Sequence, residues 1–314
     1  DCLDAPSSIH NIMTNADMKF GNIKDEDGEE VELTEGNYSS FIKSKDRNVR
    51  KAAFERLFGE YKSFENTLAT TLSSSIKVFN FGAKIRNYNS ALEASLKPND
   101  IPTEVYTNAV KTINDNLSSL HRYVKLKKKL LGLEEMHMYD LYVPLTGDFD
   151  MKITYEEAKE IILEALKPMG EEYLSHIKDA FENGWIDVYE NEGKQGGAYS
   201  WGCYDSKSYI LMNYHDDLNS LFTLIHELGH SMHSTYSKST QDYLYSSYKI
   251  FVAEVASTLN ELLLINYLLK KSTSKEEKIY LLNYYLEQFR TTVYRQTMFA
   301  EFEKITHETV ESGE

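Results

Sequence analysis

Apolar residues recur at three- and four-residue steps through positions 53–81, 105–131 and 158–181, the period of helices that bury one face. Pro98 and Pro102 punctuate the gap after the first run, and Pro144 with Gly147 the gap after the second. Ahead of them, positions 17–34 place Asp27-Gly28 between two short alternating runs, which predicts a hairpin. A second hairpin is predicted at 196–214, GGAYSWGCYDSKSYILMNY, where aromatic and β-branched runs flank the turn-like Tyr204-Asp205-Ser206-Lys207. It leads into a helix whose Leu218, Leu221, Phe222, Ile225 and Met232 form one apolar stripe, with Asp216 or Asp217 available as N-cap. The segment 249–269 is apolar almost throughout, and 275 to about 307 is amphipathic. The run LKKKLLG near residue 130 reads as a solvated helix end. The pattern therefore predicts a mostly α protein with small hairpins. No repeat or low-complexity linker marks a domain boundary.

Composition narrows the setting. With 314 residues the chain can bury a large core, and its few Gly (15) and Pro (5) favour long helices over turn-rich sheets. A formal net charge of -15 argues against nucleic acid or an anionic membrane as partner, since both reward excess Lys and Arg. Two cysteines, Cys2 and Cys203, are too few for a disulfide framework and point to a reducing, cytoplasmic location. No apolar run is expected to reach the roughly 18 residues of a membrane span.

The chemistry concentrates in LIHELGHSMHS, residues 224–234. On a helix His226 and His230 project about 40° apart, one turn above the other, so both can grip one ion. The His-Glu-x-x-His spacing suits zinc held by two imidazoles, with Glu227, about 100° away, as general base. The competing reading is that the histidines flank the apolar stripe and bond locally. A third ligand would decide between them, because catalytic zinc takes three protein ligands. Position 236, six residues after His230, is Tyr and rules out one common placement. Glu254 is the better candidate: it interrupts the apolar run Ile250 to Ala253, where a carboxylate without a cation would be costly. Glu261, seven residues on, either orients a histidine ligand from behind or is a plain surface charge. His233 reaches the same face and suits packing or support of the ligands.

FTLIHELGHSMHS (222–234) and FVAEVASTLNE (251–261), with DLYVPL (140–145), GGAYSWG, YILMNY and MKFGNIKDEDGEEVELT, resemble the M3 family of zinc oligopeptidases, in its oligoendopeptidase F branch. The resemblance spans essentially the whole chain. It implies a mostly α, zincin-like metallopeptidase with a small β-hairpin next to the metal-binding helix. It further implies one Zn²⁺ on His226, His230 and Glu254, Glu227 as general base, and short unstructured peptides as substrates in a deep channel. Zinc is favoured by ligand type, with Mn²⁺ or Co²⁺ as substitutes. The second hairpin can offer an edge strand to an extended peptide, so Gly197, Ala198 and Tyr199 are candidate substrate contacts; a purely structural hairpin fits the same residues.

Residues 1–190 are expected to form the helical part of the peptidase and 191–314 the zinc-binding part. The family's oxyanion-binding His and Tyr lie well beyond its third ligand. Here the tyrosines at 267, 280, 284, 285 and 294 have spacings suited to packing. The chain is therefore expected to be an internal piece of a longer enzyme, with those donors outside it. Two other readings stay open: a helical zinc carboxypeptidase, and a non-catalytic zinc- or peptide-binding module. The oligomeric state is left open.

Overall fold

The structure, a computed structural model, describes residues 2–145 and 151–313. Gly147, expected to punctuate the chain, lies outside them. In order, the elements are α1 (Ala5–Ile12), β1 (Asn22–Lys24), β2 (Glu30–Glu32), α2 (Glu35–Phe41), α3 (Arg47–Ser63), α4 (Glu65–Ile85), α5 (Ala91–Leu96), α6 (Thr103–Asp115) and α7 (Leu117–Leu130). There follow α8 (Tyr155–Ala165), α9 (Glu171–Glu182), β3 (Ile186–Asp187), β4 (Tyr199–Trp201), β5 (Tyr209–Leu211), α10 (Leu218–Thr240), α11 (Ile250–Lys271), α12 (Lys275–Gln288) and α13 (Arg295–Ser312). The protein is mostly helical, as the periodicity predicts, and both hairpins form.

Two compact units are present, Asp1–Gly147 with Leu286–Glu314, and Asp148–Tyr285. In the first, β1 and β2 pair antiparallel around a turn in which Asp25 Oδ1 accepts from Asp27 N at 3.0 Å and Glu29 N at 2.9 Å. Gly28 takes φ +85° there, a conformation open to glycine. Met18, Phe20, Ile23, Leu33, Ala53 and Leu57 form the core beneath this hairpin. The helical run at 53–81 is split at Phe64 and that at 105–131 at Asn116. A one-residue break keeps the apolar face nearly in phase, so the period runs through it unmarked.

The basic end of α7 is a correction. Lys127 is 1% exposed, and its Nζ donates to Leu141 O at 2.6 Å and to Glu287 Oε1 at 3.2 Å. Burial lowers its pKa, with Glu287 opposing. A buried ammonium persists because a carboxylate and a carbonyl replace its water.

The second unit holds the larger core, from Ile153 and Ile162 on through Leu221, Ile225 and Leu228 to Leu264 and Leu281. The expected boundary at residue 190 falls inside this unit. There β3, too short to leave a sequence pattern, pairs parallel with β5, and β4 pairs antiparallel with β5 to give the order β3-β5-β4. Helix α8 opens on a capping box between Thr154 and Glu157. Pro168 and Gly170, at φ +91°, separate α8 from α9. Helix α10 starts at Asp217, whose Oδ1 accepts from Ser220 N at 2.7 Å. Its predicted stripe is buried throughout. Tyr267, Tyr280, Tyr284 and Tyr285 pack on the same core, in line with their spacing.

Helix α11 corrects one expectation: its 22 residues are long and apolar enough to cross a membrane by length and composition. In this unit it lies along α10 and buries Ala253, Ser257, Asn260, Leu264, Ile265 and Leu268.

Candidate metal centre

Helix α10 presents His226 and His230 from successive turns on one side, with their Nε2 atoms 3.1 Å apart. Helix α11 brings Glu254 opposite, where Oε2 lies 3.3 Å from His226 Nε2 and 3.5 Å from His230 Nε2. These three residues form the group among the described residues whose donor atoms could hold a metal ion, all within 4.8 Å of one another. A tetrahedral ion about 2.0–2.1 Å from each ligand sets ligand atoms roughly 3.3–3.4 Å apart. The observed triangle of 3.1, 3.3 and 3.5 Å therefore fits zinc without rearrangement.

Glu254 does not stand in the apolar environment that its sequence neighbours suggest. Its side chain is 63% exposed, and Ile250, Phe251 and Val255 beside it are exposed as well. The apolar letters mark a surface of α11 here, so desolvation is not what calls for a cation at Glu254.

Glu261 lies behind His226, with Oε1 2.6 Å from Nδ1. That bond sets the proton on Nδ1 and leaves the Nε2 lone pair facing the triangle. Burial opposes a charge on His226, but the hydrogen bond and charge of Glu261, with Glu227 and Glu254 nearby, outweigh it and raise its pKa. Burial and the neighbouring His226 lower that of His230. Glu227 is 7% exposed; burial, reinforced by the charge of Glu254, raises its pKa, while His226 and the backbone N–H of Ser200 pull it down. His233 does not join the donors: it stacks on Tyr248 with ring centroids 3.6 Å apart, and burial lowers its pKa.

The second hairpin seats against this helix through residues that the sequence did not single out. Ser231, fully buried one position after His230, donates to Ser208 O at 3.0 Å and so accepts from Ser200 Oγ at 2.8 Å. Ile210 donates its N–H to Trp185 O, just ahead of β3, pointing away from β4. The pair Ser200 and Ile210 is therefore the non-hydrogen-bonded one, and Tyr199 pairs fully with Leu211. The other edge of β4 thus carries the peptide groups of Ala198 and Ser200, with the Ser200 N–H directed to the Glu227 carboxylate. Of the three expected contacts, only Ala198 keeps its main chain at that edge. Tyr199 is committed to β5, and the Gly197 carbonyl accepts from Asn213 Nδ2 at 2.9 Å.

The family model for Peptidase family M3 matches residues 40–314. The chain belongs to peptidase family M3. This M3 chain is 53% identical over its whole length to oligopeptidase PepF of Bacillus subtilis, of which it covers 47%. Among solved structures, a chain from Chlamydophila abortus superposes with TM-score 0.89 at 40% identity, covering 99% of this chain and 52% of that one. Oligoendopeptidase-F from Enterococcus faecium superposes with TM-score 0.76 at 42% identity, covering 100% and 49%. The M3 chain thus spans about half the length of the relatives it matches.

Proposed function

We propose that this chain carries the metal centre of a zinc-dependent endopeptidase acting on short, unstructured peptides. The observation that carries the reading is the donor triangle of His226, His230 and Glu254, of tetrahedral dimensions, with a buried carboxylate, Glu227, between the two histidines in sequence. Bound zinc supplies a Lewis acid for a peptide carbonyl and makes water acidic near neutral pH. Glu227 takes the proton from the attacking water and passes it to the leaving amine; its raised pKa moves it toward the working range of a general base. Glu261 fixes the His226 tautomer, so that the imidazole offers its lone pair rather than a proton. An extended peptide pairs with the β4 edge at Ala198 and the Ser200 carbonyl, which reads backbone more than side chains and suits a broad peptide substrate. The names of the relatives, oligopeptidase and oligoendopeptidase, agree with that class.

The test is a zinc titration joined to cleavage of an internally quenched peptide, with products read by mass spectrometry. One zinc per chain and chelator-sensitive internal cuts are expected, and Glu227→Gln is expected to keep the zinc and lose the cuts. Absence of zinc binding, or a Glu227→Gln variant that cleaves at the original rate, would overturn the proposal. Stepwise loss of C-terminal residues would indicate a carboxypeptidase instead.

A further inference from the structure

Glu254 presents a physical difficulty. A glutamate side chain that is 63% exposed samples many rotamers in water, and holding it in one arrangement costs rotamer freedom. Yet its Oε2 sits squarely against both imidazoles. Something in the protein has to hold it there before an ion arrives.

Ser257 does so by geometry. It lies on the same side of α11 as Glu254 and is fully buried. Its Oγ is 2.7 Å from Glu254 Oε2 and 3.1 Å from the Glu254 backbone carbonyl. A hydroxyl has one proton to give, and the shorter contact is to the charged oxygen, which makes the stronger bond. That oxygen is the one facing His226 and His230. A carboxylate oxygen carries two lone pairs, so the Ser257 hydroxyl can occupy one and leave the other for a metal.

The serine is itself immobilised. A Cβ placed on Gly229 would lie 2.6 Å from Ser257 Cα and 2.9 Å from Ala256 O, so the α10 and α11 backbones are in close contact at this level. One turn further along α11, Asn260 is also fully buried; its Nδ2 donates to Ile225 O at 3.2 Å, and its Oδ1 accepts from Tyr173 OH at 3.0 Å. These contacts fix the rotation of α11 against the histidine helix, and Ser257 transmits that registration to the exposed end of Glu254.

We infer that Ser257 is a positioning residue for the metal ligand Glu254, raising metal affinity by holding its carboxylate ready. The inference rests on the assignment of Glu254 as a ligand in the reading above. Removing a hydrogen-bond partner behind a metal ligand typically costs 10–100-fold in affinity, so Ser257→Ala is expected to bind zinc at least about tenfold more weakly. Stability of the zinc-free protein moves the other way or not at all. Alanine is the better helix former, and Glu254, being exposed, turns to water and leaves no orphaned group.

The experiment is competition between the intact 314-residue chain and a chromophoric zinc chelator, alongside thermal unfolding of the zinc-free form. Wild type, Ser257→Ala, Glu254→Ala and the double variant are compared. Weaker binding by Ser257→Ala at undiminished zinc-free melting temperature, with no added loss in the double variant over Glu254→Ala, supports the inference. Wild-type affinity in Ser257→Ala, a loss matched by a fall in zinc-free stability, or a full added loss in the double variant overturns it. Failure of the unaltered chain to bind zinc overturns the metal reading as well, which keeps the two failures distinct.

Discussion

Gly229→Ala sets helix propensity directly against packing. In a helix interior the substitution gains about 1 kcal/mol, and by that measure alone the variant should be more stable. The new Cβ, however, would stand 2.6 Å from Ser257 Cα, whereas carbon atoms sit comfortably at about 3.5–4.0 Å. Relief requires α10 and α11 to part by roughly 1 Å, and overpacking of that kind costs about 1–3 kcal/mol. The net effect is expected to lie between neutral and about 2 kcal/mol of destabilisation. The metal centre is the more sensitive readout. His226 and His230 ride on α10 and Glu254 on α11, so parting the helices lengthens the 3.3 and 3.5 Å edges of the donor triangle. Metal sites tolerate about ±0.2 Å in ligand distance, and zinc affinity should fall at least about tenfold. Denaturant unfolding without zinc and chelator competition with it measure the two effects. A Gly229→Ala chain that is more stable than the wild type and binds zinc equally well would refute the argument that this glycine exists to let the helices touch.

Three further outcomes are expected. Glu261→Gln should weaken zinc binding about 10–100-fold, because an uncharged amide holds the Nδ1 proton of His226 less firmly; the same chelator competition reads it. Asp217→Ala removes the cap that accepts from Ser220 N and should cost about 1 kcal/mol by denaturant unfolding. Asp140 in the first unit should confer an acid limb. Burial alone would raise its pKa, but the hydrogen bonds from Arg47, Arg50 and the His137 N–H hold it down at about 2. Its contribution is then fully present above the unfolded-state pKa of ~3.9 and lost as pH falls toward about 2, a difference of roughly 2–3 kcal/mol. Unfolding free energies between pH 6 and pH 2 should lose that component in Asp140→Asn, and an unchanged slope would rule it out.

The elements differ in how far the sequence disclosed them. The α10 stripe, its Asp217 cap and the pairing of His226 with His230 follow from local rules: 3.6 residues per turn and an N-cap carboxylate act within one stretch of chain. The Asp27-Gly28 turn and the second hairpin were legible for the same reason. The apolar run before Glu254 suggests a buried carboxylate, yet Ile250, Phe251 and Val252 are exposed and only Ala253 is buried. The composition of α11 records that the helix is apolar but not which side its packing covers. Lys127 shows the converse, since a basic run reads as solvated until Glu287, 160 positions away, is brought to it.

By itself the sequence determined which side chains could bind an ion and which helix would carry two of them, because helical geometry alone sets two imidazoles four residues apart on one face. Only the tertiary structure decided that the third donor completes the triangle, since that requires α10 and α11 to meet at Gly229 and Ser257. Likewise, only the fold turned the β4 edge at Ala198 and Ser200 toward Glu227, through the hydroxyls of Ser200 and Ser231 and the backbone carbonyl of Ser208. Each of these contacts joins residues more than 20 positions apart, and no local pattern of hydrophobic and polar positions encodes such a distance.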